Sequence, residues 1–149
     1  MRIVLQRIKS AAVAVGGTEI SSVGNGFLLL IGFARGDTQE IAVKMAQKIS
    51  KLRIFEDERK KMNLDINQVR GEILSVPQFT LLGNTEKGNR PGFDSAADPA
   101  KAKTFWKKFN DEIRSMGIHV AEGEFGARME VSLINDGPVT LVLDQGMQT

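Results

Sequence analysis

The chain reads as an α+β domain in which a curved, barrel-like, mostly antiparallel sheet is covered on one side by two main helices. Three observations carry this. Apolar residues recur at three- and four-residue spacing in two stretches, 41–52 and 102–113, as a helix with one buried face requires. Strand-like segments fill much of the remainder, and glycine-containing turns between them favour hairpins. No linker divides the 149 residues, so residues 1–149 are expected to form a single domain.

The opening IVLQRI and the pair Val13 and Val15 read as extended chain running into Gly16-Gly17. Two adjacent glycines suit a tight hairpin with φ > 0 at both turn positions. FLLLIGF, residues 27–33, is a short continuous apolar run, the pattern of a strand buried on both faces. Asp37 followed by Glu40 has capping-box spacing, and Ile41, Met45, Ile49 and Leu52 form the stripe of the first helix. LRIFED leads from the helix into a strand, and DERKKMNLDI is a polar hairpin or loop. Glu72–Leu82 is strand-like, but Pro77 lacks an N–H, so this strand must lie at an edge, bulge or be interrupted there. Residues 83–98 form a long irregular connection. Asp98-Pro99 then starts the second helix, with Ala102, Phe105, Phe109 and Ile113 on its buried side and Gly117 as terminator. Met129, Val131 and Leu133 alternate with Glu130 and Ser132 in a half-buried strand. Asn135-Asp136-Gly137-Pro138 reads as a sharp turn before a last strand, Val139–Leu143, and GMQT as a tail.

Composition narrows the chemistry. The absence of cysteine excludes a thiol nucleophile, a zinc–thiolate site and an iron–sulfur cluster. The single histidine, His119, excludes a multi-histidine metal site within one chain and is itself read as structural or surface. No cofactor or metal is expected. No apolar run approaches the roughly 20 residues of a membrane helix, and the amino-terminal stretch is too weakly apolar for a signal peptide. A cytoplasmic protein is expected. Charge is unevenly spread: residues 44–61 hold seven bases against three acids, whereas residues 117–149 hold one base against five acids. Such asymmetry suits a polyanion-facing side, or simply a solvated lysine-rich helix.

An ordered set of motifs makes the chain specific: MRIVLQRI, LRIFED, Lys61-Met62-Asn63, Gly71-Glu72-Ile73-Leu74, Gln78-Phe79-Thr80-Leu81, Lys87-Gly88, Arg90-Pro91, Phe125-Gly126-Ala127 and VSLINDGPVTLVL. In this order they cover nearly the whole chain, and the sequence closely resembles the D-aminoacyl-tRNA deacylases, also called D-tyrosyl-tRNA deacylases. The resemblance implies a homodimeric, cofactor-free esterase. Its substrates would be D-aminoacyl-tRNA and tRNA wrongly charged with glycine, cleaved at the 3′-terminal adenosine.

The family's Ser-Gln-Phe-Thr segment reads here Pro77-Gln78-Phe79-Thr80, and its Asn-x-Gly-Pro segment reads Asn135-Asp136-Gly137-Pro138. The resemblance implies catalytic roles for Gln78, Phe79 and Thr80. Phe79 and Thr80 would offer backbone N–H groups to the oxyanion, and the Thr80 hydroxyl would orient water or ribose, or act as a nucleophile. Pro77, Gly137, Pro138, Asn135, Phe125 and Met129 would contact substrate. In the family the Gly-Pro bond is cis and the pair reaches into the partner's pocket, where it excludes L side chains. Basic residues should meet the polyanion, with Arg7, Lys87 and Arg90 foremost and Lys51 and Lys60 beside them. Pro77 stands where the family has serine. Either the family does not depend on that hydroxyl for attack, the substrate's own 2′-hydroxyl helping water instead, or this chain is a catalytically impaired RNA-binding homodimer of the same fold.

Overall fold

The computed structural model describes residues 1–146; of the tail expected at residues 146–149, residues 147–149 lie outside the described part. Eight strands and two long helices follow in the order β1 (Arg2–Val15), β2 (Thr18–Val23), β3 (Gly26–Gly32), α1 (Gln39–Ser50), β4 (Phe55–Glu56), β5 (Met62–Leu64), β6 (Glu72–Pro77), a 3₁₀ turn (Phe79–Leu82), α2 (Pro99–Ser115), β7 (Val120–Glu122) and β8 (Glu130–Asp144). The expected α+β class holds.

β1 organises the main sheet. One edge pairs antiparallel with β3 through residues 2–8 and with β2 through residues 11–15, and the other pairs antiparallel with β8. Gly16 and Gly17 turn β1 into β2 with φ of 59° and 80°, as their pairing predicts. Beyond β3 the order continues β6, then β7, and both of these pairs are parallel. The sheet curls until β2 approaches β7, where the Ser21 hydroxyl donates to the Glu122 carbonyl at 2.8 Å. β4 and β5 form a separate hairpin.

Two cores follow from strand alternation. Phe27, Leu29 and Ile31 of β3 face α1 and α2, meeting Met45 and Ile49 and then Phe105, Trp106, Phe109 and Ile113. Leu28, with Leu74 and Val76 of β6, faces the inside of the curl together with Ile8 and Val13. The continuous apolar run of β3 therefore has apolar neighbours on both faces. The Trp106 indole N–H donates to the buried Ser75 hydroxyl at 2.8 Å, joining α2 to β6.

Two expectations are corrected and one is narrowed. Asp37 does not cap α1; Thr38 does, accepting the Ile41 N–H. Asp37 is instead buried, and its carboxylate meets the Met1 ammonium at 2.7 Å and accepts the Ala34 N–H at 2.6 Å. Of the three outcomes expected at Pro77, interruption is the one that occurs: β6 ends there, and the rest of the Glu72–Leu82 segment winds into the 3₁₀ turn. Asn135–Pro138 does not reverse the chain. β8 continues through it, with Asn135 opposite Ile8 and Thr140 opposite Gln6, so residues 136–139 bulge out opposite Arg7.

Candidate active site

The three parallel strands β3, β6 and β7 end on one side of the sheet, and chain leaving those ends encloses a cavity of about 760 Å³. Carboxyl ends of parallel strands are a recurrent place for ligands because the connections diverge there and leave a crevice. Proline ends β6 for a physical reason. Gln78 still donates its N–H to the Ile31 carbonyl at 2.7 Å, whereas on the β7 side the last bond runs from Gly123 N–H to the Ser75 carbonyl. Pro77 has no N–H with which to extend that side. Gly32 permits the 3₁₀ turn to lie across the end of β3: a Cβ there would come within 2.5 Å of Leu82 Cδ2 and 2.9 Å of the Gln78 carbonyl oxygen.

Pro77, Gln78 and Phe79 form one wall of the cavity, Phe125 and Gly126 another, and Ile31 and Phe33 line it from β3 and the residue beyond. The Phe79 ring is 57% exposed and packs edge-on against Phe93, with centroids 5.1 Å apart. Trp106 lies behind Phe125 at 6.0 Å. The N–H groups of Phe79 and Thr80, at the start of the 3₁₀ turn, have no acceptor among the described residues. Among the described residues the lining contains no histidine or hydroxyl side chain. Its one carboxylate, Asp98, caps α2 by accepting the N–H groups of Ala100 and Lys101.

Four of the expected site residues thus meet in one cavity: Pro77, Gln78, Phe79 and Phe125. Thr80 is exposed beside it. Met129 packs instead toward the core inside the curl, where its sulfur accepts the Glu124 N–H at 3.4 Å. Asn135, Gly137 and Pro138 lie on β8, outside the cavity of their own chain. The Gly137–Pro138 peptide is cis. Asn135 braces the bulge by donating to the Arg7 and Val139 carbonyls at 2.9 and 3.1 Å.

Arg7 is placed otherwise than expected. It is buried, donates to the Ile54 carbonyl at 2.6 Å and brings its Nε to 3.2 Å from the Asp136 carboxylate. It therefore anchors the bulge rather than presenting a free charge. Lys87 and Arg90 are exposed at the tip of a loop closed by reciprocal Asn84–Gly92 backbone bonds. Lys51 caps the far end of α1, and Lys60 occupies the β4–β5 turn with φ of 58°. None of these bases lines the cavity, which holds Arg35 and Lys101 instead. Sequence reading missed Arg35, Phe93 and Lys101. Phe93, the lone aromatic of an otherwise polar loop, was the one available signal. His119 is exposed at the opposite end of β6, 3.7 Å from Glu72.

Comparison with known proteins agrees with this geometry. The family model described as D-Tyr-tRNA(Tyr) deacylase matches residues 4–144. The chain is 54% identical over 144 residues to the D-aminoacyl-tRNA deacylase of Lactobacillus acidophilus, covering 97% of this chain and 99% of the relative. It is 51% identical over 144 residues to that of Bacillus cytotoxicus, with the same coverage. Among solved structures it resembles the c-Myc DNA Unwinding Element Binding Protein, with a TM-score of 0.91, 39% identity and coverage of 99% of this chain and 100% of that one. With the family's Gln-Phe-Thr segment set against the cavity and its Gly-Pro pair carried on the bulged strand, this chain belongs to the D-aminoacyl-tRNA deacylase family.

Proposed function

We propose that this member of the family hydrolyses the ester between a D-amino acid, or glycine, and the 3′-terminal adenosine of tRNA, acting as a cytoplasmic homodimer. The observation that carries the reading is the cavity at the parallel strand ends, walled by Pro77, Gln78, Phe79 and Phe125 and lacking, among the described residues, any side-chain nucleophile–base pair. Water is then the attacking group. The free N–H groups of Phe79 and Thr80 favour the negative charge that grows on the carbonyl oxygen, since fixed dipoles aimed at developing charge lower the barrier. Gln78 orients the adenosine or the ester, the Thr80 hydroxyl orients water or ribose, and the terminal 2′-hydroxyl assists attack. Met129 supports the pocket from behind.

Selection against L substrates falls to the partner's copy of Gly137-Pro138, whose backbone would fill the space an L side chain needs. Two features support this: the pair is exposed, and it lies outside the cavity of its own chain. Asn135 holds the pair in shape. Lys87 and Arg90, on their loop tip, meet the RNA, with Lys51 and Lys60 as outlying contacts.

Pro77 does not favour the impaired-enzyme reading, because it serves to end β6 and start the turn that frees the two N–H groups. The test is single-turnover hydrolysis of 3′-linked D-aminoacyl-tRNA carrying either a ribose or a 2′-deoxyribose at its terminus, with binding measured separately. The expected result is similar binding and much slower hydrolysis of the deoxy substrate. Equal rates together with a trapped acyl-Thr80 species would restore a protein nucleophile.

A further inference from the structure

We infer that Arg35, Lys101 and Lys108 form a phosphate track that receives the tRNA backbone as it leaves the cavity. The inference rests on the deacylase reading above and concerns residues to which that reading gives no role. The cavity interior is apolar, formed largely by Ile31, Phe33, Phe79, Phe93 and Phe125, which suits a nucleoside and an aminoacyl group but not a phosphodiester. The phosphates preceding the terminal adenosine must therefore lie outside it.

The cations are already at that exit. Arg35 is exposed and its side chain has no hydrogen bond or ion pair among the described residues. Its backbone is nevertheless fixed, because its N–H donates to the Ser95 carbonyl at 2.8 Å, while neighbouring Ala34 is held by buried Asp37. Lys101 stands across the mouth on the first turn of α2, its Nζ 5.4 Å from the Phe105 ring, and likewise lacks an ion-pair partner. The one acid at the mouth, Asp98, is occupied as the helix cap.

The charge continues past the mouth. Residues 99–110 of α2 contain Lys101, Lys103, Lys107 and Lys108 and no acid, and the acids of the helix begin at Asp111. Lys101 and Lys108 are separated by two helical turns, so they lie on the same flank about 10 Å apart along the axis. A single strand leaving the cavity over that flank meets Arg35 and Lys101 first and Lys108 next. Contacts of this kind position the acceptor end and carry no sequence preference.

The test compares two probes, one with and one without the RNA chain that leads away from the terminal adenosine. One is an acceptor-arm RNA hairpin bearing a D-amino acid in non-hydrolysable amide linkage to its 3′ end. The other is the same amide of adenosine alone. Binding is measured across salt concentration for the native chain, for Arg35→Ala/Lys101→Ala/Lys108→Ala and for Lys101→Arg, with circular dichroism confirming the fold. Each lost single-strand phosphate contact should lower the slope of log K against log salt by about 0.7, so the triple variant should lose roughly 2 in slope and at least tenfold in hairpin affinity at 0.15 M salt. It should lose less than about twofold for the nucleoside, and Lys101→Arg should keep the native slope. An unchanged slope, or an equal loss on both probes, overturns the track. Hydrolysis by the native chain is followed in parallel: a slope lost by the variant without amino-acid release by the native chain supports the track and defeats the deacylase reading instead.

Discussion

Gly137 has φ of 121°, and a Cβ there would lie 2.9 Å from Val139 Cγ2 and 3.0 Å from Arg7 Nη2. Both the backbone and the packing thus require glycine. Gly137→Ala should cost about 1–3 kcal/mol in denaturant unfolding and should lower discrimination against L-aminoacyl substrates, read as the ratio of kcat/KM for D and L esters. Phe79 gives the opposite separation. Its ring is more than half exposed, so Phe79→Ala should change stability by less than about 1 kcal/mol. Its place in the cavity wall means that kcat/KM should fall by about tenfold to hundredfold, the scale set by misplaced reacting groups. Pro77→Ser restores the hydroxyl usual in the family. If water attacks, this variant leaves kcat/KM within about threefold and gives no acyl-enzyme burst; a burst in rapid-quench kinetics would contradict the mechanism.

Among the elements, α2 sets one side of the cavity mouth, and its start depends on Asp98. Asp98→Ala removes the acceptor for two helix N–H groups and should destabilise the chain by about 1 kcal/mol, measured by thermal or denaturant unfolding. The β4–β5 hairpin depends on Asp57. Its carboxylate is held below the usual range chiefly by the Lys61 N–H, against the cost of burial, with the Arg59 N–H and the Asn63 side chain adding to the effect. A carboxyl group whose folded pKa is depressed contributes stability above its unfolded pKa and loses it as pH falls through the folded one. Amide exchange in residues 55–64 should therefore accelerate as pH drops below about 4, after correction for intrinsic exchange. Asp57→Asn should abolish that pH dependence; a hairpin equally protected at low pH would exclude the role.

At the scale of the whole molecule, β8 is the feature on which the proposed homodimer rests. It is fifteen residues long, pairs only with β1 among the described residues, and exposes Ile134 and Val142 at 58% and 63%. A long edge strand carrying exposed apolar side chains is a liability unless something covers it. The Gly137-Pro138 bulge lies between those two residues. Ile134→Lys/Val142→Lys should shift the chain to a monomer in analytical ultracentrifugation and should lower deacylation in step with the loss of dimer. A stable monomer with full activity would defeat the cross-subunit role of the Gly-Pro pair.

What the sequence determined by itself is local. The Gly16-Gly17 hairpin, the doubly buried β3 run, both helical stripes and the breaking effect of Pro77 follow from side-chain spacing and backbone freedom, which act over a few residues. The ordered motifs also singled out the Gln78-Phe79-Thr80 segment, whose Gln78 and Phe79 line the cavity. What tertiary structure decided is non-local. Asp37 and Thr38 are both acceptable caps by type, but Asp37 is held inward by the Met1 ammonium, distant in sequence, together with the Ala34 N–H. Arg7 looked like a surface base until β8 brought Asp136 beside it. The Asn135–Pro138 segment has turn composition, yet pairing with β1 on both sides keeps it within one strand, as a bulge rather than a reversal. Arg35, Phe93 and Lys101 are far apart in sequence and carry no motif. They share a cavity because three parallel strands end together, a registry set by pairing among distant segments that no local pattern encodes.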